Sequence, residues 1–171
     1  YYKELQLLKN LYFSKPRFYH KNPAYNFRLG AMQAALGISQ LKRIDKILAK
    51  KIRLFKLYEK FLKDIKGIKL QKIYKNTKAV FWMIGILVNP RVFGSSKKKL
   101  ESRLNSHGID TRNFFYPMHK QPVFNELGLF LNDYHPVSED LYNQGLYLPS
   151  GLKLKNSDIE IVCSHVRSIF S

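Results

Sequence analysis

The stretch AYNFRLGAMQAALGISQLKRIDKI (residues 24–47) joins an aromatic–Asn–aromatic–Arg tetrad, Tyr25 to Arg28, to the start of a long apolar period. From about Ala31 to Ile65, the residues Ala34, Ile38, Leu41, Ile44, Leu48, Ile52, Phe55, Tyr58, Leu62 and Ile65 recur at steps of three and four. That spacing predicts one face of a long amphipathic helix. Gly67 is placed to end it. Two features need a reason. Asn26 and Arg28 stand just before the helix, and Gly37 lies inside it, where glycine costs about 1 kcal/mol against alanine.

Outward from this helix, the element types alternate. Residues 1–10 read as a short helix, followed by the irregular aromatic and basic segment LYFSKPRFYHKNPAYNFR, broken by Pro16 and Pro23. KAVFWMIGILVN (78–89) reads as a strand stopped by Asn89-Pro90, and IDTRNFFY (109–116) as a second strand closed by Pro117. Between them, SSKKKLESRLNSHG reads as a helix with Ser95 or Ser96 as its cap and Gly108 beyond its end. A short helix follows over 136–145, then the extended piece LYLPSG. The closing helix, NSDIEIVCSHVRSIF, takes Asn156 or Ser157 as its cap and carries Asp158 and Glu160 where the dipole favours anions. The expectation is α/β: one long helix leading into a small α/β layer.

The 171 residues are enough for one sizeable core. With 11 Tyr, 12 Phe and an apolar fraction of 45%, the composition excludes a disordered chain. AVFWMIGILV (79–88) is the longest apolar run, far short of the roughly 20 residues that span a bilayer, so no membrane partner is expected. No secretion signal is visible. Cys163 stands alone and has no internal disulfide partner, which fits a reducing, cytoplasmic location. The net charge of +18 points toward an anionic partner. Yet the lysines are scattered over helix faces, and solvated surface accounts for them. Helix-turn-helix, zinc-finger and RNA-binding aromatic signatures are absent, so a nucleic-acid partner is not expected. The five histidines include no i, i+4 pair, so no metal is expected either. FGSSKKK lacks the glycine spacing of a phosphate loop. His165, on the closing helix, reads as structural.

Two clusters remain. RFYHKNPAYNFR places Arg17, His20, Lys21, Asn26 and Arg28 among aromatics; YPMHKQPVF places Tyr116, His119, Lys120 and Gln121 between two prolines. Polar groups in such loops suit ligand contact. Packing of an irregular loop explains them equally well, and the residues alone leave both readings open.

In collinear order, LKNLYF, RFYHKNPAYNFRLGAMQAALGISQL, GIDTRNFFYPMHKQPVF and YLPSGLKL resemble the C-terminal part of the pyridoxal-phosphate-dependent sugar aminotransferases of the DegT/DnrJ/EryC1/StrS type. Perosamine synthases, which aminate a GDP-linked 4-keto-6-deoxy sugar, are the nearest subgroup. The resemblance implies the small C-terminal domain of a fold-type I aminotransferase, with one long helix and a small, mostly antiparallel sheet around residues 79–89 and 108–116. It divides the chain into an interface segment (1–29), a connecting helix (30–66) and a small α/β domain (67–171).

The large cofactor domain and its Schiff-base lysine are then expected before the chain, which begins with Tyr1 rather than Met. Alone, the chain is expected to be inactive. By the same resemblance, Asn26 reaches the cofactor phosphate of a neighbouring subunit in a homodimer, with Arg28 supporting it. Gly37 marks a close helix approach. The substrates implied are a nucleotide-linked keto sugar and an amino donor, glutamate; Arg17, His20, Tyr116, His119 and Lys120 are the residues expected around the sugar nucleotide. Ala24 and Gly30 depart from the family pattern, where a glycine and a capping Ser or Thr are usual. The alternatives are a non-catalytic dimerisation or packing module and a basic nucleic-acid-binding module.

Overall fold

A computed structural model describes residues 1–16 and 18–170, apart from the side chain of Phe170. By internal packing the chain divides into two units, Tyr1–Ile44 and Asp45–Ser171.

The first unit holds helix α1 (Tyr2–Lys9), a small antiparallel hairpin of β1 (Phe13–Ser14) and β2 (Tyr19–His20), and helix α2 (Ala31–Leu41). The Gln33 side chain closes the start of α2 by accepting the Gly30 amide at 2.7 Å. The expected single helix over residues 31–65 is instead two helices. A turn at Lys42 and Arg43 separates α2 from α3 (Ile44–Leu62). There the backbone tightens, with the Arg43 amide donating to the Gln40 carbonyl at 3.0 Å, a 3₁₀-type closure. The apolar step from Ile38 through Leu41 and Ile44 to Leu48 is kept across this turn, which is why periodicity does not reveal it. Beyond its own helix backbone, Gly37 has no atom of the described residues within 4 Å of where a Cβ would sit, so among them no close helix approach occurs there.

The second unit is built on α3. Its Leu54, Phe55, Tyr58 and Leu62 are buried against a sheet of β3 (Ile68–Leu70), β4 (Ile84–Val88), β5 (Arg112–Asn113) and β6 (Gly145–Leu148). The order is β3-β4-β6-β5 and every neighbouring pair is antiparallel. The register Ile84↔Leu148, Ile86↔Leu146 and Ile68↔Val88 puts these residues on one face, as the two-residue side-chain period requires. That face is covered by α3, by α5 (Lys97–Ser106) through Leu100 and Leu104, and by α8 (Asn156–Phe170) through Ile159, Val162, Cys163 and Val166. A short helix, α4 (Pro90–Phe93), starts at the Asn89 cap, and Ser96 caps α5 by accepting the Lys99 amide at 3.2 Å. Asp158 reaches back to the Lys155 amide at 2.8 Å at the head of α8.

Both expected strands are shorter than their apolar runs. Residues 79–83 stay unpaired because Phe81, with φ of 47°, turns its ring onto Phe55 at 4.0 Å and plugs the core. After β5, Phe114 leaves the strand and stacks on Tyr147 at 4.4 Å. It covers the sheet's other face at Gly85 and Gly145, where no side chains compete for the space.

Polar groups on α3 fasten the loops. The Lys51 ammonium donates to the Trp82 and Ser150 carbonyls at 2.9 and 2.6 Å, and the Tyr58 hydroxyl to the Pro149 carbonyl at 2.9 Å. Arg53 donates to the Leu154 carbonyl at 2.9 Å and to the Asn156 side chain. Burial raises the Tyr58 pKa and lowers that of Lys51, in each case by disfavouring the charged form. No helix among the described residues is long and apolar enough to cross a membrane.

Gly145 gives the sharpest test of this packing. A methyl there would overlap both the Phe114 ring and the Leu141 carbonyl oxygen, and only the ring can move. Gly145→Ala is expected to destabilise by about 1–3 kcal/mol in chemical denaturation. Adding Phe114→Ala should not restore stability, since the backbone clash remains.

Candidate functional site

In the first unit, the backbone of residues 25–27 pairs with the end of α1. The Tyr25 amide donates to the Leu8 carbonyl at 2.8 Å and the Phe27 amide to the Lys9 carbonyl at 2.9 Å; Asn10 and Asn26 form a bridge. Alternation along extended backbone sends Tyr25 and Phe27 to one side and Asn26 and Arg28 to the other. The two aromatic rings confirm it, stacking 5.0 Å apart with planes 3° from parallel. The tetrad is therefore an aromatic face backing a polar face.

Asn10, which sequence reasoning missed, is the positioning residue. Its side chain donates to the Gln6 carbonyl at 2.8 Å and accepts the Arg28 Nε hydrogen at 2.8 Å. The Arg28 guanidinium lies 5.4 Å from the Phe13 ring centre. The His20 ring, from the hairpin, meets that of Phe13 at 4.8 Å with the planes tilted by 37°, and its Nδ1 donates to the Leu11 carbonyl at 2.5 Å. The Asn26 amide is exposed and makes no side-chain hydrogen bond among the described residues. Arg17 lies outside the described residues.

The second unit brings His119 and Lys120 together, and again through a residue the sequence did not single out. Both sit on a one-turn 3₁₀ helix (Met118–Lys120) that precedes α6 (Pro122–Glu126). Glu139 stands in the first turn of α7 (Pro136–Gln144), where the helix dipole favours a carboxylate. One of its oxygens accepts from His119 Nε2 at 3.1 Å and the other from the Lys120 ammonium. These bonds, Lys120 first and His119 second, hold the Glu139 carboxyl below its usual pKa. Asn125 fastens the turn by donating to the His119 carbonyl at 3.1 Å.

Tyr116 meets Tyr142 edge-on at 5.0 Å and shares a small recess of about 120 Å³ with Lys120 and Glu139. On the other side of His119 opens a cleft of about 650 Å³, walled by Met118, Phe130, Tyr134, His135 and Leu141. The His135 ring meets that of His119 at 4.8 Å, and its Nε2 lies 3.5 Å from Asp133. His119 thus lines the aromatic cleft and Lys120 the small recess, both hydrogen-bonded to the one Glu139 carboxylate. Among the described residues, no group of three or more His, Cys, Asp and Glu side chains could hold a metal ion.

The sequence profile of the DegT/DnrJ/EryC1/StrS aminotransferase family matches residues 2–167. The GDP-perosamine synthase of Escherichia coli O157:H7 is 29% identical over 158 residues, covering 91% of this chain and 40% of that protein. The GDP-perosamine synthase of Vibrio cholerae is 28% identical over 158 residues, covering 91% and 41%. This chain spans about two fifths of the length of these relatives. Among solved structures, Helicobacter pylori PseC, an aminotransferase involved in pseudoaminic acid biosynthesis, superposes with a TM-score of 0.85 at 23% identity, over 98% of this chain and 45% of that one. At that identity the likeness speaks to the fold. DesV of S. venezuelae gives a TM-score of 0.85 at 25% identity, over 99% of this chain and 44% of that one. The second unit's helix-covered antiparallel sheet is accordingly part of an aminotransferase fold.

The Glu139 contact has a pH signature. Its carboxyl titrates lower in the fold than its ordinary 4.5. Its contribution to stability is therefore complete above about pH 4.5 and is lost as pH falls through the depressed folded value. The difference in unfolding free energy between the wild type and Glu139→Gln should be flat above that pH and shrink below it. A difference unchanged down to pH 3 would show that the carboxylate is not engaged.

Proposed function

Because the chain belongs to the DegT/DnrJ/EryC1/StrS aminotransferase family, we propose that the whole protein is a pyridoxal-phosphate-dependent aminotransferase acting on a nucleotide-linked 4-keto-6-deoxy sugar. The observation that carries this reading is the polar face of the tetrad: an Asn26 side chain without a hydrogen bond among the described residues, and an Arg28 guanidinium held at Nε by Asn10. An amide donor and a guanidinium suit a phosphate oxyanion, to which arginine can give two parallel hydrogen bonds. The donor set fits the cofactor's phosphate, and Asn26 and Arg28 would hold it. When bound, the cofactor supplies the electron sink for moving an amino group. This chain's residues bind and orient.

The perosamine synthase relatives support a sugar-nucleotide substrate, and we assign glutamate as the amino donor. His20, Tyr116, His119 and Lys120 are the residues we assign to the sugar nucleotide, Lys120 and His119 being held in place by Glu139. Arg17 belongs to the same assignment. The protein works as a homodimer in the cytoplasm, and Asn26 serves the neighbouring subunit's cofactor. Helix α2 supports assembly: it buries no residue, and Met32, Leu36 and Leu41 remain exposed by 83, 67 and 68%. The lysine that carries the cofactor lies in the part of the protein beyond these 171 residues, so this stretch alone is inactive.

Asn26→Ala in the full-length protein should weaken cofactor retention about 10- to 150-fold, the worth of one hydrogen bond to a charged group, with the fold intact. Mixing it with a variant lacking the Schiff-base lysine should restore activity, because a mixed dimer rebuilds one complete site. If subunits exchange and no activity returns, Asn26 does not act across the interface. If the full-length protein shows no spectral change with pyridoxal phosphate and an amino donor, the enzyme reading itself falls.

A further inference from the structure

Helix α5 turns two opposite faces outward and inward. Leu100 and Leu104 enter the core, whereas Lys99, Ser102, Arg103 and Ser106, spaced i, i+3, i+4 and i+7, line the other side. Helix α8 runs alongside, with the Arg103 Nη2 hydrogen 3.3 Å from the Ser168 hydroxyl by donor–acceptor distance and the His107 and His165 rings 4.2 Å apart. The groove between them has a volume of about 470 Å³, and no carboxylate is among its described lining residues. Glu101, on the same helix, accepts from Asn113 at 2.9 Å, and Asp64 accepts from Arg167 of α8 at 2.9 Å.

The groove's own hydrogen bonds arrange its donors. The Ser106 hydroxyl and His107 Nδ1 both donate to the Arg103 carbonyl at 2.8 Å, which fixes the imidazole with Nε2 away from that bond. The Lys99 ammonium and the Ser102 hydroxyl make no side-chain hydrogen bond or ion pair among the described residues. Two permanent cations, the His107 imidazole and three hydroxyls therefore share one concavity, with no carboxylate among its described lining residues.

We propose that this groove binds a phosphate group, carried either by inorganic phosphate or by a phosphomonoester. Arg103 offers a planar guanidinium, Lys99 a point charge, and the Ser102 hydroxyl a neutral donor, the Ser106 and Ser168 hydroxyls being spent on the Arg103 and His165 carbonyls, a set that matches a multi-oxygen dianion better than a halide. None of these residues belongs to the cofactor or sugar-nucleotide set assigned above, so the proposal stands apart from that reading.

The test uses the full-length protein saturated with pyridoxal phosphate, dialysed to equilibrium against radiolabelled inorganic phosphate at an ionic strength held constant with chloride. The wild type should bind an additional phosphate per chain, and the double variant Lys99→Gln, Arg103→Gln should bind it about tenfold more weakly or worse. Lys99→Glu, altering a side chain with no partner in the fold, should do the same while leaving the unfolding temperature unchanged. Competition with β-glycerophosphate separates the sources: stronger displacement than by unlabelled phosphate identifies an esterified ligand, weaker displacement the free ion. Equal binding by wild type and both variants, or displacement by chloride alone, overturns the proposal.

Discussion

Helix α3 is the member on which the second unit depends, because it supplies both the apolar contact and the polar fastening. Leu54, Phe55, Tyr58 and Leu62 are each almost wholly removed from solvent. At about 1.5–3 kcal/mol for each large side chain, that stripe outweighs any single hydrogen bond. Burial alone does not fix the loops, however. Residues 149–156 run from β6 to α8 and carry carbonyls that need donors. Lys51, Arg53 and Tyr58 provide them, all from the same helix. The ends of two inner strands, a loop and a helix start are thus referred to one rigid element.

How much of this was legible follows from what periodicity measures. The three- and four-residue spacing identified the buried face of α3 because a helix buries a stripe whatever it packs against. It carried no information on backbone continuity, so the turn at Lys42 and Arg43 escaped. The strands were overextended for a related reason. An apolar run says that residues are buried, not that they pair, and Phe81 is buried by stacking on Phe55 in a left-handed backbone conformation. The serine cap of α5 was readable because a cap is a local hydrogen bond.

The site shows the same division. The loop YPMHKQP flagged His119 and Lys120, but Glu139 lies in a separate helix and becomes their partner only through the fold. Its position in the first turn of α7 was the available signal, though an acid there is common enough to pass unnoticed. Asn10 was hidden likewise, since the pairing of residues 8–11 with 25–27 is a tertiary fact. What sequence did carry was alternation. Aromatic–Asn–aromatic–Arg is a two-residue pattern, and extended backbone turns it into one oily face and one polar face.

The charge balance has a physical consequence. With 30 Lys and Arg against 12 Asp and Glu, most cations have no acid to meet. Several are used as hydrogen-bond donors to backbone carbonyls: Lys51 to Trp82 and Ser150, Arg53 to Leu154, Lys97 to Tyr142, Arg167 to Phe61. A carbonyl satisfies the donor without cancelling its charge. A carboxylate does both, as Glu139 does for Lys120 and Asp64 for Arg167. Fastening loops with cations on carbonyls therefore stabilises the fold and leaves the positive potential in place. The α5–α8 groove has no carboxylate among its described lining residues. The same shortage that decides how the loops are tied also determines that the ligands this surface attracts are anions.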